Sequence, residues 1–275
     1  MTSTSVMFEV ADGMATLTLN EPSRFNPIST GMQEGCLEAL ERVREDTSVR
    51  ALILTGSGKA FCSGADLSAF GPDQRADAGR STGCIIGDMM AQTGNPLVAG
   101  LRTLPVPVVC AVNGVAAGGG VGLALAADIV IAARSAYFYL PFAPALGLVP
   151  DMGASWAMPR AIGRARAMGL TLLGHRLPAE DAARWGLIWA CVDDGALVDD
   201  SRRTARQLSE LPSHAIHEVR ELYRASESNA LETQMALEMD RQRELADRPA
   251  FAEGVRAFLE KRKPRFAARS QVEAP

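Results

Sequence analysis

The chain has no C-x-x-C pair, and its five cysteines, Cys36, Cys62, Cys84, Cys110 and Cys191, are an odd number. That speaks against a disulfide framework or a zinc ribbon, and for a reducing, cytoplasmic setting. There is no basic excess either. Twenty-eight Lys and Arg stand against 32 Asp and Glu, a net charge of −4. A nucleic-acid binder ordinarily carries a basic footprint, so no nucleic-acid partner is expected. The first residues, Met1 to Ser5, are polar and lack the apolar run of a secretory signal. One uncharged stretch, Val106 to Ala127, is long enough to span a bilayer. It contains Pro107, Asn113 and five glycines, and Asp128 follows at once. It reads as a buried strand, a glycine loop and a small-residue helix, with no membrane partner.

What remains is ordinary globular composition: 275 residues, 47% hydrophobic and 22% charged. Disorder is excluded as the dominant state. A chain of this length can bury roughly 70–75% of its unfolded surface. Met7 to Val10 and Ala15 to Leu19 flank Asp12-Gly13 and predict a β-hairpin. A helix is expected over about 31–45, with Met32, Cys36, Leu37, Leu40 and Val43 on one face. Apolar runs at 50–55, 106–112 and 128–133 read as strands buried on both faces. Residues 56–66 read as a glycine-rich loop, 71–85 as a mobile loop, and 86–104 as helix. The recurring strand–turn–helix unit indicates an α/β fold. From about Ser209 the pattern changes to three amphipathic helices, with apolar stripes at Ile216/Val219/Leu222/Tyr223, Leu231/Met235/Met239/Leu245 and Phe251/Val255/Phe258/Leu259. Two regions follow: 1–205 as the α/β part and 206–275 as a helical extension for oligomerisation.

Two glycine-rich loops carry the chemical signal. One is Lys59-Ala60-Phe61-Cys62-Ser63-Gly64-Ala65-Asp66-Leu67; the other is Asn113-Gly114-Val115-Ala116-Ala117-Gly118-Gly119-Gly120. Each follows a buried strand. Glycine lets a backbone approach a ligand closely, and a free N–H at a helix start attracts negative charge. Two such groups converging on one point form an oxyanion hole. The competing reading is that these glycines only permit tight strand–helix packing. A dinucleotide fingerprint does not fit, because Gly118, Gly120 and Gly122 lack the G-x-G-x-x-G spacing. The segment Leu146-Gly147-Leu148-Val149-Pro150-Asp151-Met152-Gly153 sets one carboxylate among apolar residues. Asp151 is either a proton shuttle raised by burial or the N-cap of a helix over 153–160. His214 and His217 are too few for a metal, so none is expected. Cys62 lacks a nearby base for a nucleophilic role. Met89, Met90, Tyr137, Tyr139 and Phe142 line either the core or an acyl pocket.

On these residues the chain resembles the crotonase, or enoyl-CoA hydratase/isomerase, family over roughly residues 6–268. The resemblance implies a spiral of ββα units with a C-terminal helical trimerisation region. It implies that the backbone N–H groups of Ala65 and Gly119 bind a thioester oxygen of an acyl-CoA, with Asp151 as the acid–base group. It places Arg24, Ala65, Asp66, Leu67, Gly118, Phe142, Phe258 and Lys261 at the CoA and acyl sites, the last pair of helix residues often from a neighbouring subunit. No separate cofactor is implied, since coenzyme A arrives with the substrate. Hydratases of the family carry two glutamates, and the corresponding positions here are Gly122 and Ala143. One carboxylate suits removing a proton and returning it elsewhere, which is isomerisation. The resemblance is nearest the branch that isomerises ring epoxides in phenylacetate breakdown. It is carried by Asn95-Pro96-Leu97-Val98, Ala133 to Phe138, Gly186-Leu187-Ile188-Trp189 and Glu253 to Arg262. Gly119, where that branch often has alanine, and a Pro141 to Leu146 segment one residue longer are departures that bear on the substrate. The expectation is an enoyl-CoA isomerase of phenylacetate or fatty acid breakdown, acting as a homotrimer or dimer of trimers. Its rivals are an enoyl-CoA hydratase and a non-catalytic scaffold binding acyl-CoA or RNA.

Overall fold

A computed structural model describes residues 5–70, 80–267 and 269. The chain opens with the hairpin of β1 (Val6–Ala11) and β2 (Met14–Leu19), paired antiparallel from Val6↔Leu19 to Ala11↔Met14. Asp12 and Gly13 both have positive φ, 52° and 72°, as a two-residue turn between right-twisted strands requires. Helix α1 (Thr30–Glu45) is capped by Ser29, whose hydroxyl accepts from the Met32 N–H. It buries the expected face of Met32, Cys36, Leu40 and Val43.

Three turns of chain then each give one strand to each of two sheets. They are β3 (Ala51–Gly56) with β4 (Ala60–Cys62), β5 (Val108–Val112) with β6 (Val115–Ala117), and β7 (Ile129–Ala133) with β8 (Tyr137–Tyr139). Later strands are β9 (Leu177–Pro178) and β10 (Ala190–Val192). Among the described residues the first sheet has the order β1-β2-β3-β5-β7-β10, and the second β4-β6-β8-β9. All pairs beyond the opening hairpin are parallel except β8 with β9. The helices after the strand pairs are α2 (Thr82–Met89) and α3 (Asn95–Arg102), then α4 (Gly119–Leu125), then α5 (Ala154–Leu173). This is the expected α/β spiral.

Three expectations need correction. The loop expected over 56–66 contains β4, and β6 and β8 likewise went unseen. Three-residue strands are too short to show alternation. The helix expected from residue 86 begins at Thr82, where the Ser81 hydroxyl accepts from the Cys84 N–H. Residues 71–79 of the expected loop lie outside the described residues. The helix to residue 104 is also interrupted by a π-helical turn, Met90–Gly94.

The chain continues with α6 (Ala179–Trp185), α7 (Leu197–Ser209), α8 (Ala215–Ser226), α9 (Leu231–Ala246) and α10 (Pro249–Leu259). The division at 205/206 falls inside α7, which packs on β3, β5 and β7. Helix α8 is tied to the α/β part by a half-buried pair. Arg220 meets both Asp128 oxygens, Nε to Oδ1 at 2.7 Å and Nη2 to Oδ2 at 2.6 Å, while Asp128 Oδ2 also accepts from the Val108 N–H. The apolar stripes of α8–α10 leave Tyr223, Leu231, Met235, Met239, Phe251, Phe258 and Leu259 exposed. No helix among the described residues is long and apolar enough to cross a membrane.

Candidate active site

The second sheet brings the two glycine loops together. β4 pairs parallel with β6, Cys62 opposite Ala116, so the loops leave their strands side by side. Gly64 has φ +89°, and a methyl there would stand 2.8 Å from the Ala117 carbonyl oxygen. Gly118 has φ +53°, and its methyl would lie 3.6 Å from the Gly64 Cα. Both positions favour glycine for conformation, and Gly64 needs it for approach as well. Each loop is anchored on its other side. The Gly64 carbonyl accepts from the Ile28 N–H at 2.8 Å, and Ala65 bridges to Ile28. The Gly118 N–H donates to the Tyr139 carbonyl at 2.9 Å. Ala65 and Gly119 come next in each loop. Gly119 is the first residue of α4, among the helix N–H groups that have no partner within the helix.

Asp151 stands against this turn. A methyl at Gly119 would lie 3.2 Å from Asp151 Oδ1, 3.0 Å from Met152 Cγ and 2.8 Å from Ile28 Cδ1. Asp151 Oδ1 is buried without a hydrogen-bond partner among the described residues. Burial pushes the carboxyl up to about 6, against a smaller opposing effect of its own backbone N–H. The N-cap alternative does not hold. Gly153 occupies the N-cap of α5, no side chain caps that helix, and Asp151 accepts from Ala154 through its backbone carbonyl.

Phe142 opens a π-helical turn, Phe142–Leu146; it is buried, with Cζ 3.8 Å from a methyl on Gly118. Arg24 and Asp66 meet at the outer end of the first loop, Nη2 to Oδ2 at 2.6 Å, and Arg24 also pairs with Glu21 at 3.2 Å. Hydrogen bonds from Ser68, then from Arg24, hold the Asp66 carboxyl below its usual range. Leu67 beside it is exposed. Phe258 and Lys261 lie at the exposed end of α10, which packs on α9, and nothing among the described residues joins them to the loop pair in this protomer.

Three site residues were not singled out from sequence. Ile28 and Met152 close around Gly119, as above. Asn26, 1% exposed, donates through Nδ2 to the carbonyls of Ser57, Ala60 and Phe61 at 3.0, 2.8 and 3.2 Å. It also accepts from the Glu21 N–H, so it pins the first loop onto the chain before α1. An Asn before a proline in a loop looks like a surface turn residue, and only packing distinguishes the two.

The position of the first missing glutamate is filled by backbone. A methyl at Gly122 would overlap the Met152 carbonyl oxygen and lie 2.7 Å from Met152 Cβ. No side chain fits there while the 151–153 segment holds its place. We therefore expect Gly122→Ala to cost about 1–3 kcal/mol or more of stability in urea unfolding, as overpacking of a filled core does. Full stability would show that the segment yields freely. The position of the second glutamate, Ala143, lies in the π-helical turn. Cys62 sits beneath Gly120, Sγ 3.0 Å from a methyl there, and burial pushes its thiol up to about 12. It is a neutral packing residue at neutral pH, not a nucleophile. Among the described residues no cluster of His, Cys, Asp or Glu could hold a metal ion.

The α/β spiral thus brings two glycine loops side by side, with one carboxylate against the second of them. The comparisons with known proteins place the chain in a family. The family model "Enoyl-CoA hydratase/isomerase" matches residues 9–269. The chain is 47% identical to 1,2-epoxyphenylacetyl-CoA isomerase of Escherichia coli (strain K12), covering 95% of this chain and 97% of that protein. It is 42% identical to a protein of Rhodobacter capsulatus described as "Probable enoyl-CoA hydratase", over 96% and 98% of the two chains. The crystal structure of an enoyl-CoA hydratase from Polaromonas sp. JS666 superposes with a TM-score of 0.86 at 30% identity, covering 95% of this chain and 99% of that one. The chain belongs to the enoyl-CoA hydratase/isomerase family and is an enzyme of that family.

Proposed function

We propose that this enzyme isomerises an acyl-CoA thioester through an enolate. The observation that carries the reading is the single carboxylate of Asp151, its Oδ1 buried, against Gly119, with the Gly122 position filled by Met152. Asp151 takes a proton from the carbon next to the thioester. The electron pair moves to the thioester oxygen, held by the Ala65 and Gly119 N–H groups. Asp151 then returns the proton two carbons further along, and the double bond has moved. Atoms are conserved and no water enters. Fixed donors aimed at developing charge favour that state over the substrate.

Arg24, Asp66 and Leu67 at the outer end of the first loop serve the CoA moiety, and Gly118 and Phe142 the acyl end. Phe258 and Lys261 reach CoA from a neighbouring subunit. The exposed apolar faces of α8–α10 support a homotrimer or a dimer of trimers, with residues 206–275 as the assembling region. The reading calls for no cofactor besides the CoA that the substrate brings, and its setting is the cytoplasm. The identity to the Escherichia coli isomerase favours a ring epoxide of an arylacetyl-CoA, or an enoyl-CoA, as substrate.

The test is mass spectrometry of 3-enoyl- and 2-enoyl-CoA incubated with the protein in heavy water. Double-bond migration with no gain of water supports the isomerase, whatever the deuterium content of the product. A product heavier by one water overturns it in favour of hydration.

A further inference from the structure

We infer that Met152 is a positioning residue that shields the Asp151 carboxylate from water, its side chain seated in a slot cut by three glycines. The inference rests on the isomerase reading and names what confines that reaction to proton movement.

The slot is built from distant parts of the chain. A methyl at Gly94 would lie 3.2 Å from Met152 Sδ, one at Gly119 3.0 Å from Cγ, and one at Gly122 2.7 Å from Cβ. Each missing side chain thus gives room to a different part of this methionine. Met152 is 5% exposed and has φ +49°, a conformation that costs an L-residue energy unless its surroundings hold it there. The backbone is held from both sides, by the Gly122 contact below and by Gly153 at φ +78° opening α5. Met152 Cγ and Asp151 Oδ1 flank the same point above Gly119. A thioether has little capacity to accept a hydrogen bond. Among the described residues, the groups beside the carboxylate at Gly119, Ile28 and Met152, carry no charge, and the Cys62 thiol under Gly120 is neutral at neutral pH. Asp151 Oδ1 is buried and has no hydrogen-bond partner among the described residues. A base oxygen kept from water, as Oδ1 is, gives its proton back to the substrate carbon more readily than it takes one from solvent.

The experiment compares Met152→Ala and Met152→Leu with the wild type on one 3-enoyl-CoA, reading the pH profile of kcat/KM and the deuterium content of the isomerised product. Met152→Ala is expected to move the acid limb down by about one pH unit from about 6. It is also expected to raise deuterium uptake per turnover at least twofold. Met152→Leu, apolar and of similar volume, is expected to keep both near wild type. A variant with merely loosened packing would lose rate at every pH and leave limb and uptake unmoved; that result overturns the inference. So does an equal shift in both variants. The reading beneath it fails separately, through wild-type hydration or an active Asp151→Asn. Should Met152→Ala not fold, Met152→Asn, a residue that tolerates positive φ, offers the same readouts with a smaller cavity.

Discussion

Asp151→Asn is expected to lower kcat by about 10²–10⁴-fold while making the folded protein more stable at pH 7.5. The two effects have one cause. The carboxyl is pushed up to about 6 because burial penalises its charged form. Its ordinary value in an unfolded chain is about 3.9. The folded state therefore holds this proton more tightly than the unfolded state does. Below about pH 4 both states are protonated, and the group adds no penalty. As pH rises from about 4 through 6, the unfolded state ionises first and folding stability falls. Above about 6 the loss is complete. Two pH units correspond to roughly 3 kcal/mol. The carboxylate keeps partial access to solvent, which reduces the figure to about 1–2 kcal/mol. Asparagine has no charge to bury and escapes the loss. Urea unfolding at fixed protomer concentration is expected to show variant and wild type together at pH 4 and the variant ahead at pH 7.5. The wild-type kcat/KM is expected to fall tenfold per unit below about pH 6, because the base must be ionised to accept a proton. A variant with no gain at pH 7.5 would show that water reaches the carboxylate freely. A variant with full turnover would remove Asp151 from the chemistry.

The same burial decided what could be read from the sequence. β3, β5 and β7 were visible because strands covered on both faces are uninterrupted apolar runs. Their partners β4, β6 and β8 were not, since three residues carry no period. Asp151 was visible as a lone carboxylate in an apolar segment, yet the choice between base and N-cap needed the structure. The backbone around Gly153 removes the N-cap reading by placing the cap two residues beyond Asp151. Met152 was invisible, because its setting is made by Gly94, Gly119 and Gly122, each of which looks locally like a turn or packing glycine. Asn26 was missed for a similar reason: the three carbonyls it donates to lie more than thirty residues away. Phe258 and Lys261 entered through family resemblance alone, and within one protomer their helix is an exposed surface.

Gly64→Ala is expected to reduce kcat by about 10²–10³-fold, the loss that follows removal of one oxyanion donor. The argument is geometric. At φ +89° an L-residue is strained whatever the space around it, and here the space is also taken. The added methyl would stand 2.8 Å from the Ala117 carbonyl oxygen and 3.4 Å from the Gly118 Cα. Both neighbours are backbone of the second loop, itself pinned by the Gly118 N–H to Tyr139. Neither loop can yield without turning the N–H beside it, Ala65 on one side or Gly119 on the other. Donors aimed at the charged oxygen act more on the enolate than on the substrate, so kcat should fall further than KM rises. The acid limb of kcat/KM should stay near pH 6, because Gly64 does not touch Asp151. Gly169→Ala provides the control. It lies within α5 with open space around it, so it should keep kcat and gain up to about 1 kcal/mol in helix stability. If Gly64→Ala turned over within threefold of wild type, the two loops would be packing devices, and the charge on the thioester oxygen would have to be held elsewhere.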